Sequence, residues 1–128
     1  MKKIVSTPNA PAAIGAYSQA VSVGGTLYVS GCIGLKPDDG VMVSEDVEGQ
    51  TVQVMENMKA VVEAGGMHMS DVVKCTILLQ HMSDFPKVNT IYATYFPSDP
   101  PARACFAVAA LPRGALVEID CIAVTSAL

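Results

Sequence analysis

A chain of 128 residues is the size of one ordinary domain, and 51% hydrophobic against 16% charged residues leaves few charges to coat a monomer. No apolar run reaches the about 20 residues a membrane-spanning helix needs, so the apolar surplus is expected in an interface between copies, which predicts a homo-oligomer. The net charge of −4, with lysines scattered along the chain, offers no basic stripe to exchange counterions with phosphate and argues against a nucleic-acid partner.

The opening stretch "MKKIVSTPNAPAAIGAY" has two lysines but no continuous apolar segment of signal-peptide length, and Pro8 and Pro11 interrupt it; a cytoplasmic location is expected. Next, β-branched and aromatic residues flank Gly24-Gly25 and predict a hairpin of two strands, about Gln19–Val23 and Thr26–Ile33. After the turn "KPDDG", the spacing of Val47, Thr51, Val54, Met55, Met58, Val61 and Val62 predicts a helix from about Asp46, capped at Gly65-Gly66. The dense apolar run "DVVKCTILLQ" predicts a central strand near Val73–Gln80. A second helix is predicted from about Asp84 to Tyr95, with Phe85, Val88, Ile91, Tyr92 and Tyr95 on one face, Pro86 tolerated in its first turn and Pro97 stopping it. Two last strands, about Ala102–Ala109 and Leu116–Thr125, flank "LPRG". This order of elements predicts an α+β domain over residues 1–128, helices covering one face of a mixed sheet and a partner copy covering the other.

The four cysteines, Cys32, Cys75, Cys105 and Cys121, lack the short paired spacing of zinc or redox motifs and read as reduced, buried thiols. His68 and His81 stand in no ligand-like spacing, so no metal site is expected.

The residue out of place is Arg103, a permanent cation inside the small apolar strand "PPARACFAV". Strand alternation puts Arg103 with Cys105 on one face, and Glu118 with Asp120 on one face of the last strand. An Arg103–Glu118 ion pair within one chain is the plain reading. If the two strands run antiparallel, though, an offset of about four residues, roughly 13 Å, separates them. Arg103 then needs an anion from elsewhere, and Glu118 would meet it only from a neighbouring copy, with room between for a small carboxylic acid. A guanidinium fork fits such a carboxylate, and a glutamate can activate water as a general acid/base.

"PARACFAVAALPRGALVEI", together with "APAAIGAYSQAV", "LYVSGCIG" and "DFPKVNTIYATYF", closely resembles the RidA (YjgF-like) reactive intermediate deaminase family, nearly end to end. The resemblance implies a chorismate-mutase-like fold, a mixed sheet of about six strands with two helices on one face, assembled as a homotrimer with clefts between subunits. It implies a 2-iminobutanoate/2-iminopropanoate deaminase, hydrolysing reactive enamine and imine acids to 2-oxo acids and ammonia without a cofactor. Arg103 would grip the substrate carboxylate and Glu118 position the water, while Tyr17, Ser30, Gly31, Phe85, Asn89 and the backbone at Cys105 line the pocket. Duller roles compete: Tyr17 as an anchor, Gly31 as a bulge, Phe85 as core, Cys105 as a packed thiol. Alternatives for the whole protein are a ribonuclease or translation inhibitor, or a trimer that binds 2-oxo acids without turnover. Cys32 stands where many relatives have Gln, and Ala16 where many have Pro; the Cys32 thiol is expected to add sensitivity to oxidation.

Overall fold

Apolar side chains at every second position build the sheet. In a computed structural model, which describes residues 1–125, the strands are β1 (Lys3–Val5), β2 (Ala20–Val23), β3 (Thr26–Cys32), β4 (Val72–Leu79), β5 (Ala102–Ala107) and β6 (Val117–Val124). They form one mixed sheet in the order β1-β2-β3-β6-β4-β5. The helices are α1 (Val47–Ala64) and α2 (Phe85–Thr94). Leu27, Val54, Met55, Met58, Ile77, Leu79, Val88, Val117 and Ile119 are fully buried where α1 and α2 meet the sheet; each contributes on the order of 1.5–3 kcal/mol.

The hairpin turns at Gly24 (φ 54°) and Gly25 (φ 83°), a pair of left-handed conformations that glycine adopts without steric cost. Helix α1 starts at Asp46, whose carboxylate accepts from the Gly49 amide at 2.7 Å. It ends with the left-handed residue at Gly66 (φ 82°). The short β1, which the sequence reading passed over, pairs antiparallel with β2 and brings the sheet to six strands.

The last two strands are not neighbours. Helix α2 is the crossover that lets β5 lie parallel to β4, and β6 inserts on the other side of β4, antiparallel to it. The register pairs Cys75 with both Arg103 and Cys121, and Leu78 with both Phe106 and Glu118. Arg103 and Glu118 are thus three residues apart along the strands and two strands apart across them, roughly 10 Å each way.

They also point to opposite sides. Val117, Ile119 and Cys121 are buried under the helices, which turns Glu118 and Asp120 to the uncovered face, whereas Arg103 reaches α2. The uncovered face is largely apolar: Ile122, Leu78 and Ala104 lie among Tyr28, Phe106 and Val124, which are 51%, 49% and 40% exposed.

Candidate functional site

Glu118 sits at the rim of a cleft of about 610 Å³, bounded by the chain from Ala10 to Tyr17, the end of β3 and Arg113. The β3–β6 register slips between Val29 and Cys32, so Ser30 and Gly31 form a bulge. The bulge reading of Gly31 therefore holds, and the group that lies close to it is the Glu118 side chain. A Cβ at Gly31 would collide with Glu118 Oε2 and lie 2.9 Å from the carboxyl carbon, so only with glycine here can the carboxylate keep this position. Burial, with Asp120 as a like charge, holds the Glu118 carboxyl above the usual carboxylate range.

Ser30 donates its hydroxyl to the Ser18 carbonyl at 2.6 Å, and its amide donates to the Gln19 carbonyl at 3.0 Å. Tyr17, 52% exposed, lines the same cleft. Cys32 lines it too, but burial, with Glu118 and Asp120 adding to it, pushes the thiol up to about 12. A thiol that stays protonated is a poor nucleophile, which runs against the expected sensitivity to oxidation. Asp120 pairs in register with Thr76 and makes no ion pair with Lys74 among the described residues.

Arg103, Phe85, Asn89 and Cys105 come together elsewhere, where the edge strand β5 meets α2. Arg103 Nη1 donates to Asn89 Oδ1 at 2.7 Å, and its guanidinium carbon lies 5.2 Å from the Phe85 ring centroid and 5.1 Å from that of Tyr92. Among the described residues no carboxylate forms an ion pair with Arg103. One neutral amide and two ring faces therefore hold a cation that has five N–H donors, and it remains receptive to an anion. Phe85 packs against the core edge beneath it, and Asn89 has found the polar partner its apolar surroundings demanded. The Cys105 thiol, in register with Ile77, is raised by burial, with Arg103 opposing.

One chain thus carries two separate clusters, Tyr17–Ser30–Gly31–Glu118 and Phe85–Asn89–Arg103–Cys105, with the sheet between them. Three participants escaped the sequence reading. Tyr92 supplies a ring under the guanidinium. Arg113, left-handed at φ 59°, donates to the Gly40 carbonyl at 3.3 Å at the cleft wall. Gln19, only 8% exposed, is hydrogen-bonded to the segment that walls the cleft. The one available signal was Gln19 itself, a long amide at the mouth of an apolar strand behind a proline-broken segment. Among the described residues no three His, Cys, Asp or Glu side chains form a candidate metal-ligand group, and no helix is long and apolar enough to cross a membrane.

The architecture and these two clusters define a small α+β domain with a carboxylate in a cleft and, on an edge strand, a guanidinium that has no ion-pair partner among the described residues. Residues 7–125 match the family described as Endoribonuclease L-PSP. The chain is 52% identical over 122 residues to Reactive Intermediate Deaminase A, chloroplastic, of Arabidopsis thaliana, spanning 95% of this chain and 65% of that protein's length. It is 50% identical over 124 residues to the 2-iminobutanoate/2-iminopropanoate deaminase of Mus musculus, with 97% of this chain and 92% of that one aligned. The crystal structure of E. coli TdcF with bound serine superposes with a TM-score of 0.93 at 38% identity, covering 97% of this chain and 99% of that one. The chain belongs to this family, that of the RidA-type deaminases.

Proposed function

We propose that the protein is a 2-iminobutanoate/2-iminopropanoate deaminase whose active site forms between copies, Arg103 of one facing Glu118 of the next. One observation carries this reading: the two charged groups lie on opposite faces of their own sheet, each in a half-site the other could complete. The apolar uncovered face supports assembly, and a homotrimer of one-domain subunits is the arrangement the family resemblance suggests.

In this reading Arg103 holds the substrate carboxylate, steadied by Asn89 and by the rings of Phe85 and Tyr92. The Cys105 backbone lies beside it. Glu118, backed by Gly31 and Ser30 and overhung by Tyr17, takes a proton from water as the oxygen bonds to C2 of the iminium. The carbinolamine nitrogen then receives that proton; the hydroxyl returns its own proton to the Glu118 carboxylate as the C=O forms, the C–N bond breaks with its electron pair on nitrogen, and ammonia and the 2-oxo acid leave. The step is a hydrolysis and transfers no electrons. Burial suits Glu118 to this work, since a carboxylate whose pKa is raised is a stronger base toward water and its acid form is populated closer to neutrality. Apolar walls from Ala10, Pro11, Ile14 and Leu35 suit a short aliphatic side chain.

The test is complementation. Arg103→Ala and Glu118→Gln proteins, each assayed alone by coupled imine decay behind a threonine dehydratase, should be nearly inactive. After unfolding and refolding as an equal mixture, about a quarter of the inter-subunit clefts would draw both native groups, and a similar share of activity should return. No recovery, or wild-type rates in either single variant, overturns the shared site.

The family's description as an endoribonuclease raises RNA cleavage as a second reading. Against it stand the net charge of −4 and the absence of clustered lysines. RNA cleavage that survives purification and disappears in Arg103→Ala would favour it. Binding of 2-oxobutanoate with no acceleration of imine loss would favour a non-catalytic sensor.

A further inference from the structure

The segment from Thr7 to Ser18 walls the Glu118 cleft with Ala10, Pro11, Ile14 and Tyr17, yet beyond the turn at Pro8–Asn9 none of positions 11–17 takes part in a backbone–backbone hydrogen bond among the described residues. Its first turn, Thr7 to Pro11, is hydrogen-bonded to the Gln19 side chain. Gln19 Oε1 accepts from the Thr7 amide at 2.6 Å. Gln19 Nε2 donates toward the carbonyls of Thr7 at 3.0 Å, Ala10 at 3.3 Å and Pro11 at 2.8 Å. Its two N–H bonds are shared among three acceptors, so the strap closes around the amide as around a peg. The same residue's backbone carbonyl receives the Ser30 amide, and Ser30 returns its hydroxyl to the Ser18 carbonyl. Strap and bulge are therefore fastened to each other at Gln19, and the bulge is where Glu118 rests.

We infer that Gln19 is a positioning residue for the active site: it holds the strap that carries Tyr17 as a fixed wall of the substrate cleft and sets its distance from Ser30, Gly31 and Glu118. This inference rests on the proposed location of the site. The amide alone has the needed chemistry. An apolar side chain of equal length offers neither donor nor acceptor, and leaves buried carbonyls of the strap without partners. A glutamate keeps the acceptor for Thr7 but turns an oxygen toward three carbonyls. The strap would then leave its site, giving up the packing of Ala10 against the core, while the rest of the sheet and the two helices stay folded.

Gln19→Met should raise KM for 2-iminobutanoate about tenfold, and weaken 2-oxobutanoate binding by calorimetry to the same degree, while kcat changes less than about threefold. A merely structural residue would lower Tm and leave KM of the folded fraction where it was. Cleavage by chymotrypsin after Tyr17 should speed at least about tenfold, since opening of the strap governs access to that bond. Gln19→Glu keeps volume and one hydrogen bond and is the variant to read if Gln19→Met does not fold; it should shift KM and cleavage in the same direction. Wild-type KM, affinity and cleavage rate in a folded Gln19 variant overturn the inference. If the wild-type protein neither hydrolyses imines nor binds 2-oxobutanoate, the proposed function fails, while the cleavage rate at Tyr17 still decides whether Gln19 holds the strap.

Discussion

The two half-sites are built in opposite ways. On the Glu118 side the group is half-buried in a cleft, wedged against a glycine in a bulge and kept above its ordinary pKa by burial and a like charge. On the Arg103 side the group lies exposed on an edge strand, held by an amide and two aromatic rings. A carboxylate pushed toward neutrality can exchange protons, and a guanidinium left with free donors can grip an anion. Neither can do the other's work, and in the proposed site the sheet between them means that the two come from different copies.

Predictions that break or sharpen this contrast begin with Glu118→Gln, which keeps shape but removes proton exchange. It should lower kcat at least about a hundredfold, the usual scale for losing a general acid/base. The same change should raise Tm at neutral pH. A carboxyl with a raised pKa stabilises the fold while protonated and loses that contribution as pH climbs through its folded value. Lower activity together with higher Tm separates a tuned catalytic group from a structural one.

Arg103→Ala comes next, with kcat/KM reduced at least about tenfold, the scale of one lost charge-assisted hydrogen bond; unchanged steady-state kinetics would remove the anion-binding half. The acid limb of the pH profile is third. Activity should fall as Glu118 takes up a proton, at a pH above the about 4.3 of a free glutamate, and the limb should vanish in Glu118→Gln. Gly31→Ala should slow turnover about fivefold through displacement of the carboxylate, with little change in Tm because a flexible side chain gives way. The smallest effect belongs to Cys32→Ser, within about twofold in kcat/KM, since a thiol held near 12 takes no part in proton transfer. Peroxide titration of the native thiols would check its inertness: rapid loss of Cys32 would contradict the shift.

Much of this was legible from residue order. Hairpin, helices and the last two strands follow from period and from Gly, Pro and Asp at their ends, because those signals act within a few residues. Arg103 declared itself by being a charge among alanines, and Asn89 by being an amide on an apolar helix face. Their meeting was less visible, since it needs α2 to cross over so that β5 lies parallel to β4.

Sequence alone determined which chemical groups the protein has and which must be unsatisfied locally: a cation without a near neighbour in the chain, and too much apolar surface for its charges. Tertiary structure decided where those groups act. Inserting β6 beside β4, on the side away from β5, puts a strand between Arg103 and Glu118, their three-residue offset in register turns them to opposite faces, and folding the strap onto Gln19 makes a cleft from a segment with no periodic signal. Such outcomes depend on strand order and on contacts between distant residues, which local propensity does not encode.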